Sequence, residues 1–181
     1  MIEKMEELKA KVEECIVLAK SKWFVTLPNI DIRFDLKGKS MGQARRDIIN
    51  GKSVYSIRFN INAMKLGGKS YTHILNCTVP HEVAHIICMV YPMLGNAHNK
   101  GWKLMCLALG GDGNTRCNIS EIPEAIALIR PYAYKATDGT TVNISKIQHK
   151  KIQNGIVYRT ISGKGLVSLH CEYVMSQVRV L

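Results

Sequence analysis

His81-Glu82-Val83-Ala84-His85 places two imidazoles four positions apart with a carboxylate beside the first. On a helix this spacing sets both rings one turn apart on one face, where their neutral nitrogens can share a zinc ion. Glu82 can then reach a water on that ion and act as general base, while the metal polarises a substrate carbonyl and lowers the pKa of the water. A catalytic zinc needs a third protein ligand and an open position. The longer pattern with Gly and a third His at fixed spacing is excluded, because Cys88 and Tyr91 occupy those places. His98, just past the Leu94-Gly95-Asn96 loop, is the favoured third ligand, with Glu121 or Glu124 as the downstream alternatives.

Several elements must position these groups. Met5, Leu8, Val12, Cys15, Ile16 and Ala19 recur at helical spacing, which predicts an amphipathic helix over 1 to about 22. Ile30, Ile32, Phe34 and Leu36 alternate with polar residues, as do Tyr55, Ile57, Phe59 and Ile61, which predicts two half-buried strands. Gly38 and Asn50-Gly51 mark turns. From Tyr71 the period becomes helical and ends near Tyr91-Pro92, with Pro80 either in a first turn after a Thr78 cap or breaking one hydrogen bond. Trp102 to Ala108 reads as a further helix stopped at Gly110-Gly111, and Pro123 to Ile129 as a last one. Beyond Pro131, β-type runs at 142–147, 155–161 and 166–174 alternate with glycine turns. The expected organisation is therefore α+β, a compact zincin-like core over 1–130 with a small antiparallel sheet, and a basic β-rich unit over 131–181.

The chain has 181 residues, 46% hydrophobic and 22% charged, which excludes disorder and a disulfide-dependent miniature scaffold. Its six cysteines form no CxxC pair and read as reduced, buried thiols. No apolar leader or long apolar run occurs, so a soluble intracellular chain is expected, cytoplasmic or at the nucleoid if prokaryotic or phage-encoded, with no membrane partner. The net charge of +11 points to a polyanionic partner. Residues 33–69 carry nine Lys or Arg against Asp35 and Asp47, and residues 130–181 carry eight against Asp138 and Glu172. The candidate nucleic-acid contacts are Arg45, Arg46 and Lys52 in the first stretch, and Lys146, Lys150, Lys151, Arg159 and Lys164 in the second. Tyr132, Tyr134 and Tyr158 lie among the latter and could stack on bases.

Thr78-Val79-Pro80-His81-Glu82-Val83-Ala84-His85 resembles the active-site helix of the SprT-like (Spartan) zinc metalloproteases. His98-Asn99-Lys100-Gly101-Trp102 resembles that family's HGxxW element, with Asn99 where Gly is usual. Gly38 to Ala44 is similar to its first hairpin, and Ile57-Arg58-Phe59-Asn60 to the strand ending in an Ile-x-x-Asn signature. Over about residues 20–120 the resemblance implies an α+β protease core, one zinc held by His81, His85 and His98, and Glu82 activating water. It also implies a zinc metalloendopeptidase acting on proteins bound or crosslinked to DNA, single-stranded or mixed.

Many members end in a four-cysteine zinc ribbon, and residues 134–139 and 158–166 resemble its two knuckles. Ala136, Asp138, Thr160 and Gly163 stand at positions given to the ribbon cysteines. Such a set lacks four nitrogen or sulfur donors, so a metal-free unit is expected, held by Ile144, Ile147, Ile156, Val157, Ile161, Leu166, Val167 and Leu169. His149, His170 and Cys171 are a remote second-site candidate. The competing reading of the whole chain is a non-catalytic, zinc-stabilised DNA-binding module of phage or mobile-element type.

Overall fold

The computed structural model describes residues 1–38, 40–116, 130 and 132–175. The chain is mixed α and β and divides into two compact units, Met1–Asn118 and Ile119–Leu181. The helix expected at 123–129 lies outside the described residues. Among the described residues no helix is long and apolar enough to cross a membrane.

In the first unit, α1 (Ile2–Trp23) buries Leu8, Val12, Cys15 and Ala19 along one stripe, as its periodicity requires. It ends at Phe24, which adopts the left-handed conformation and donates its backbone N–H to the Lys20 carbonyl at 3.0 Å. Three strands follow: β1 (Ile30–Leu36), β2 (Gly42–Ile49) and β3 (Lys52–Asn60). The order is β1-β3-β2, with β2 antiparallel to β3 across the Asn50-Gly51 turn and β1 parallel to β3. The sheet is thus mixed where an antiparallel one was expected. Asn60 explains the crossing, because its buried side chain donates to the carbonyls of Gly38 (2.8 Å) and Ser40 (2.9 Å), holding the β1–β2 connection over the end of β3. Its Oδ1 also accepts from the N–H groups of Asn62 and Ala63, capping α2 (Ile61–Leu66), a short helix the periodicity does not announce.

The helical stretch expected from Tyr71 is a composite of α3 (Gly68–His73), a π-helical turn (Ile74–Thr78) and α4 (Val79–Val90). Pro80 lies in the first turn of α4, directly after the π-helical turn that departs from the regular hydrogen-bond ladder. Thr78 is itself helical and makes no side-chain cap; the wide π turn joins the segments instead. Val83, Ala84, Ile86 and Ile87 are buried on α4, which contacts α1, β2 and α5 (Lys100–Ala108).

The second unit contains β4 (Tyr132–Lys135), β5 (Thr141–Ile144), α6 (Lys146–Gln153), β6 (Tyr158–Arg159), β7 (Leu166–Val167) and β8 (Tyr173–Met175). The sheet order is β5-β4-β8, with β6-β7 a separate pair. Helix α6 replaces the end of the expected β run at 142–147. Its signal is Ser145-x-x-Gln148, a capping box in which Ser145 Oγ accepts from the Gln148 N–H and Gln148 accepts from the Ser145 N–H. The core also differs from expectation. Tyr134, Ala136, Ile144, Ile152 and Val167 form it, whereas Ile147, Ile156, Val157, Ile161, Leu166 and Leu169 are exposed. Several of these fall in turns or on the outer side of two-residue strands, where alternation carries no information about burial.

Candidate metal centre

Helix α4 carries His81, Glu82 and His85, and the loop before α5 returns His98 to the same face. The three Nε2 atoms form a near-equilateral triangle: 3.2 Å between His81 and His85, 3.1 Å between His85 and His98, and 3.2 Å between His98 and His81. Two nitrogens about 2.0–2.1 Å from one tetrahedral zinc are about 3.3 Å apart, so the triangle fits three corners of that coordination sphere. Among the described residues this is the one group of three or more His, Cys, Asp or Glu side chains close enough to hold an ion.

The protonation states agree with that role. Burial, followed by the charge of His98, lowers the pKa of His81 to about 4; burial, with His81 and His98, lowers that of His85 to about 4. Both rings are neutral near pH 7, as metal ligation requires. The Asn114 backbone beside His81 opposes that lowering without cancelling it.

Trp102 forms the wall behind the three rings. Its centroid lies 4.7 Å from His81, 5.2 Å from His85 and 4.5 Å from His98, and its ring is fully buried. The indole N–H has no hydrogen-bond partner, a cost of about 1–3 kcal/mol that the packing of the large ring must offset. Asn99 caps α5 by accepting the Trp102 N–H at 3.0 Å. The loop carrying His98 closes tightly on this helix. A Cβ at Gly95 would lie 2.6 Å from the Trp102 nitrogen, and one at Gly101 would strike the Leu94 carbonyl.

Glu82 is 6% exposed and accepts the Ala44 N–H at 2.7 Å through Oε2. Burial raises its pKa to about 7, and the Ala44 bond opposes the rise. Ala44 lies on β2, an outer strand of the sheet, whose backbone therefore reaches the helix carrying the carboxylate. Gly42 makes this approach feasible, since a Cβ there would stand 2.8 Å from both Glu82 Cγ and Oε1. Gly42, Ala44, Gly95 and Asn114 escape a sequence reading of chemistry because none carries a reactive side chain.

The structure unites His81, Glu82, His85 and His98; Glu121 and Glu124 lie outside the described residues. Arg45, Arg46 and Lys52 are exposed on the β2–β3 hairpin, with Arg45 bound to Asp47 at 2.9 Å and Arg46 to Ser53 at 3.1 Å. In the second unit, Lys146 and Lys150 share one side of α6 with His149, Gln153 and Asn154, and together with Tyr132 they line a cavity of about 530 Å³. Tyr132 stacks on His149 at 3.9 Å and 11°. Lys151, Arg159 and Lys164 are exposed but do not line it. Tyr134 is a core residue bonded through its hydroxyl to His149 and Gln153, so it is unavailable for stacking on a base. His149, His170 and Cys171 do not gather into a second metal cluster.

The SprT-like family profile matches residues 12–121. Protein SprT of Pseudomonas paraeruginosa is 27% identical over 156 residues, covering 84% of this chain and 88% of that protein. Protein SprT of Pseudomonas aeruginosa is 30% identical over 116 residues, covering 62% of this chain and 64% of its own length. No solved structure matches the chain. With the profile spanning more than half the sequence and every residue of the histidine cluster, the chain belongs to the SprT-like family, whose domain is in general a zinc-dependent, protease-like one.

Proposed function

We propose that this chain is a zinc metalloendopeptidase that cleaves proteins held on DNA. The observation that carries the reading is the convergence of three imidazole nitrogens, two of them on the helix that also carries a buried carboxylate at the next residue. Zinc, when bound by His81, His85 and His98, supplies Lewis acidity toward a substrate carbonyl and a water. Glu82 takes the proton of the attacking water as the new C–O bond forms, then delivers it to the departing amine as the C–N bond breaks. Ala44 holds one oxygen of that carboxylate, and Gly42 leaves room for the other. The buried site favours a proton held near neutrality, which suits a group that must both accept and return one.

Two features support nucleic acid as the recruiting partner: the eight bases against two acids in residues 130–181, and the cavity that combines Lys146 and Lys150 with the Tyr132–His149 stack. The reading is tested by Glu82→Gln. Zinc content and DNA affinity are expected to persist while cleavage of a DNA-bound protein disappears; retained cleavage would overturn the assignment. The competing reading, a zinc-stabilised binding module without catalysis, gives no reason for a glycine cradle around a buried glutamate.

A further inference from the structure

The second unit keeps the two knuckles of a zinc ribbon without its donors. The first knuckle is a tight turn in which Gly139 N–H donates to the Ala136 carbonyl (2.9 Å) and Ala136 N–H to that of Thr140 (2.8 Å). The second has Gly163 N–H donating to the Thr160 carbonyl (2.8 Å) and Thr160 N–H to that of Gly165 (2.9 Å). Ala136 and Gly163 offer no ligand atom, and no described group in this unit gathers three metal-binding side chains. The residues present do not fit a structural zinc, which takes four nitrogen or sulfur donors.

The Asp138 carboxylate stands between the turns. Its Oδ1 accepts the Thr140 N–H (3.1 Å) and the Thr140 hydroxyl, and its Oδ2 faces the Thr160 hydroxyl at 3.5 Å. Thr160 Oγ1 in turn accepts the Gly165 N–H at 2.9 Å. Gly165 lies against the carboxylate so closely that a Cβ would strike all its atoms. Thr137 completes the join, donating its N–H to the Leu166 carbonyl (3.0 Å) and accepting the Leu166 N–H on Oγ1 (2.9 Å). The hydroxyl bonds keep the Asp138 carboxyl below the usual range, so it is ionised near pH 7.

We infer that an Asp138-centred hydrogen-bond network with Thr137, Thr140 and Thr160 replaces the ribbon zinc, so that the second unit folds without metal. Each knuckle ligand of a ribbon meets its counterpart through the ion; here each turn meets the other through a carboxylate oxygen or a threonine hydroxyl. The inference concerns residues 132–175 alone and does not depend on the peptidase reading of the first unit.

The test uses the full chain, purified without added metal, by elemental mass spectrometry and by hydrogen exchange with and without EDTA. The expected results are about one zinc in the wild type, none in His85→Ala, and EDTA-independent protection of the Thr137, Thr160, Gly165 and Leu166 amides. More than one zinc per wild-type chain, or protection in 136–166 lost on chelation, would overturn the inference. Asp138→Ala should speed exchange at both turns by at least tenfold, and unchanged exchange there would also count against it. Should that variant fail to fold, Thr160→Val decides: it keeps the Asp138–Thr140 bonds but removes the hydroxyl that faces Asp138 and accepts the Gly165 N–H. Exchange should then rise at 160–166 more than at 136–140, and an equal or absent rise would reject the network.

Discussion

The two units hold their loops in different ways, the first around a triangle of imidazoles and the second through hydrogen bonds over a small core. The first brings three donors together and builds its surroundings around them: an indole wall against three imidazoles, and two close glycine contacts that fix the His98 loop. The second has no such donor set among its described residues and joins its two turns through Asp138 and threonine hydroxyls over a small core of Tyr134, Ile144, Ile152 and Val167. The difference follows from what a metal does. One that only cross-links two turns can be replaced by several hydrogen bonds, each of net value about 1 kcal/mol, if a hydrophobic core shares the task. One that must polarise a carbonyl has no hydrogen-bonded equivalent, and its donors cannot drift.

That contrast can be broken most decisively by chelation. EDTA should abolish proteolysis entirely while oligonucleotide affinity, measured by fluorescence anisotropy, stays within about twofold, provided the second unit carries most of the phosphate contacts. Joint loss of both would show that the units share their metal dependence. Next in size, Glu82→Gln should lower kcat/KM by about 10²–10⁴-fold with zinc retained, as expected when a general base is removed. Trp102→Ala should cost about 3–5 kcal/mol in urea unfolding, because it deletes a fully buried aromatic ring. Loss of zinc in the same variant would tie the wall to the site it backs.

A milder change sharpens the role of the strand beside the helix. Gly42→Ala sets a methyl group against Glu82 Cγ and Oε1 and should lower kcat about 10–100-fold, with KM and zinc content nearly unchanged, because about 1 Å of misplacement is enough. Unchanged kcat would mean that Glu82 tolerates displacement.

The smallest effect concerns pH in the metal-free protein. His81 and His85 titrate near 4 in the fold against 6.5 ordinarily, so the stability tied to their neutral forms is full above pH 6.5 and is lost as pH falls toward 4. Glu82 acts oppositely: with a folded value of about 7 against 4.5, its contribution is present below pH 4.5 and is lost as pH rises through 7. Between pH 4.5 and 6.5 two imidazole protons outweigh one carboxyl proton. Unfolding then takes up about one net proton, and stability should fall by about 1 kcal/mol for each pH unit lowered. A flat urea midpoint across this range would contradict the burial of the histidines.

Much of the site was legible in the chain. His81, Glu82 and His85 declare themselves because a helix repeats every 3.6 residues, so four-residue spacing fixes their shared face whatever surrounds them. His98 followed from its place after a glycine loop and before Trp102. The positions of α1, α4, α5, β1 and β3 came from apolar period alone, since burying a stripe or an alternate face needs only local geometry. The Asn60 signature was visible, but its double task of pinning the β1–β2 connection and capping α2 was not.

Other features had no local signal. Gly42 and Gly95 matter because strands and loops distant in sequence come within van der Waals distance of Glu82 and Trp102, and a glycine does not announce what approaches it. The parallel pairing of β1 with β3 depends on where Asn60 anchors the chain. In the second unit, six aliphatic residues expected in the core are exposed, Ile147 because it lies on helix α6 and the others because two-residue strands, turns and loops are too short for a period to report a face. Sequence by itself determined which groups could do chemistry and on which helix they stand, since those are facts of residue type and spacing. Only the tertiary structure decided how closely the three nitrogens converge, what holds the carboxylate beside them, and how the second unit joins its turns without metal, because each depends on contacts between residues far apart in the chain.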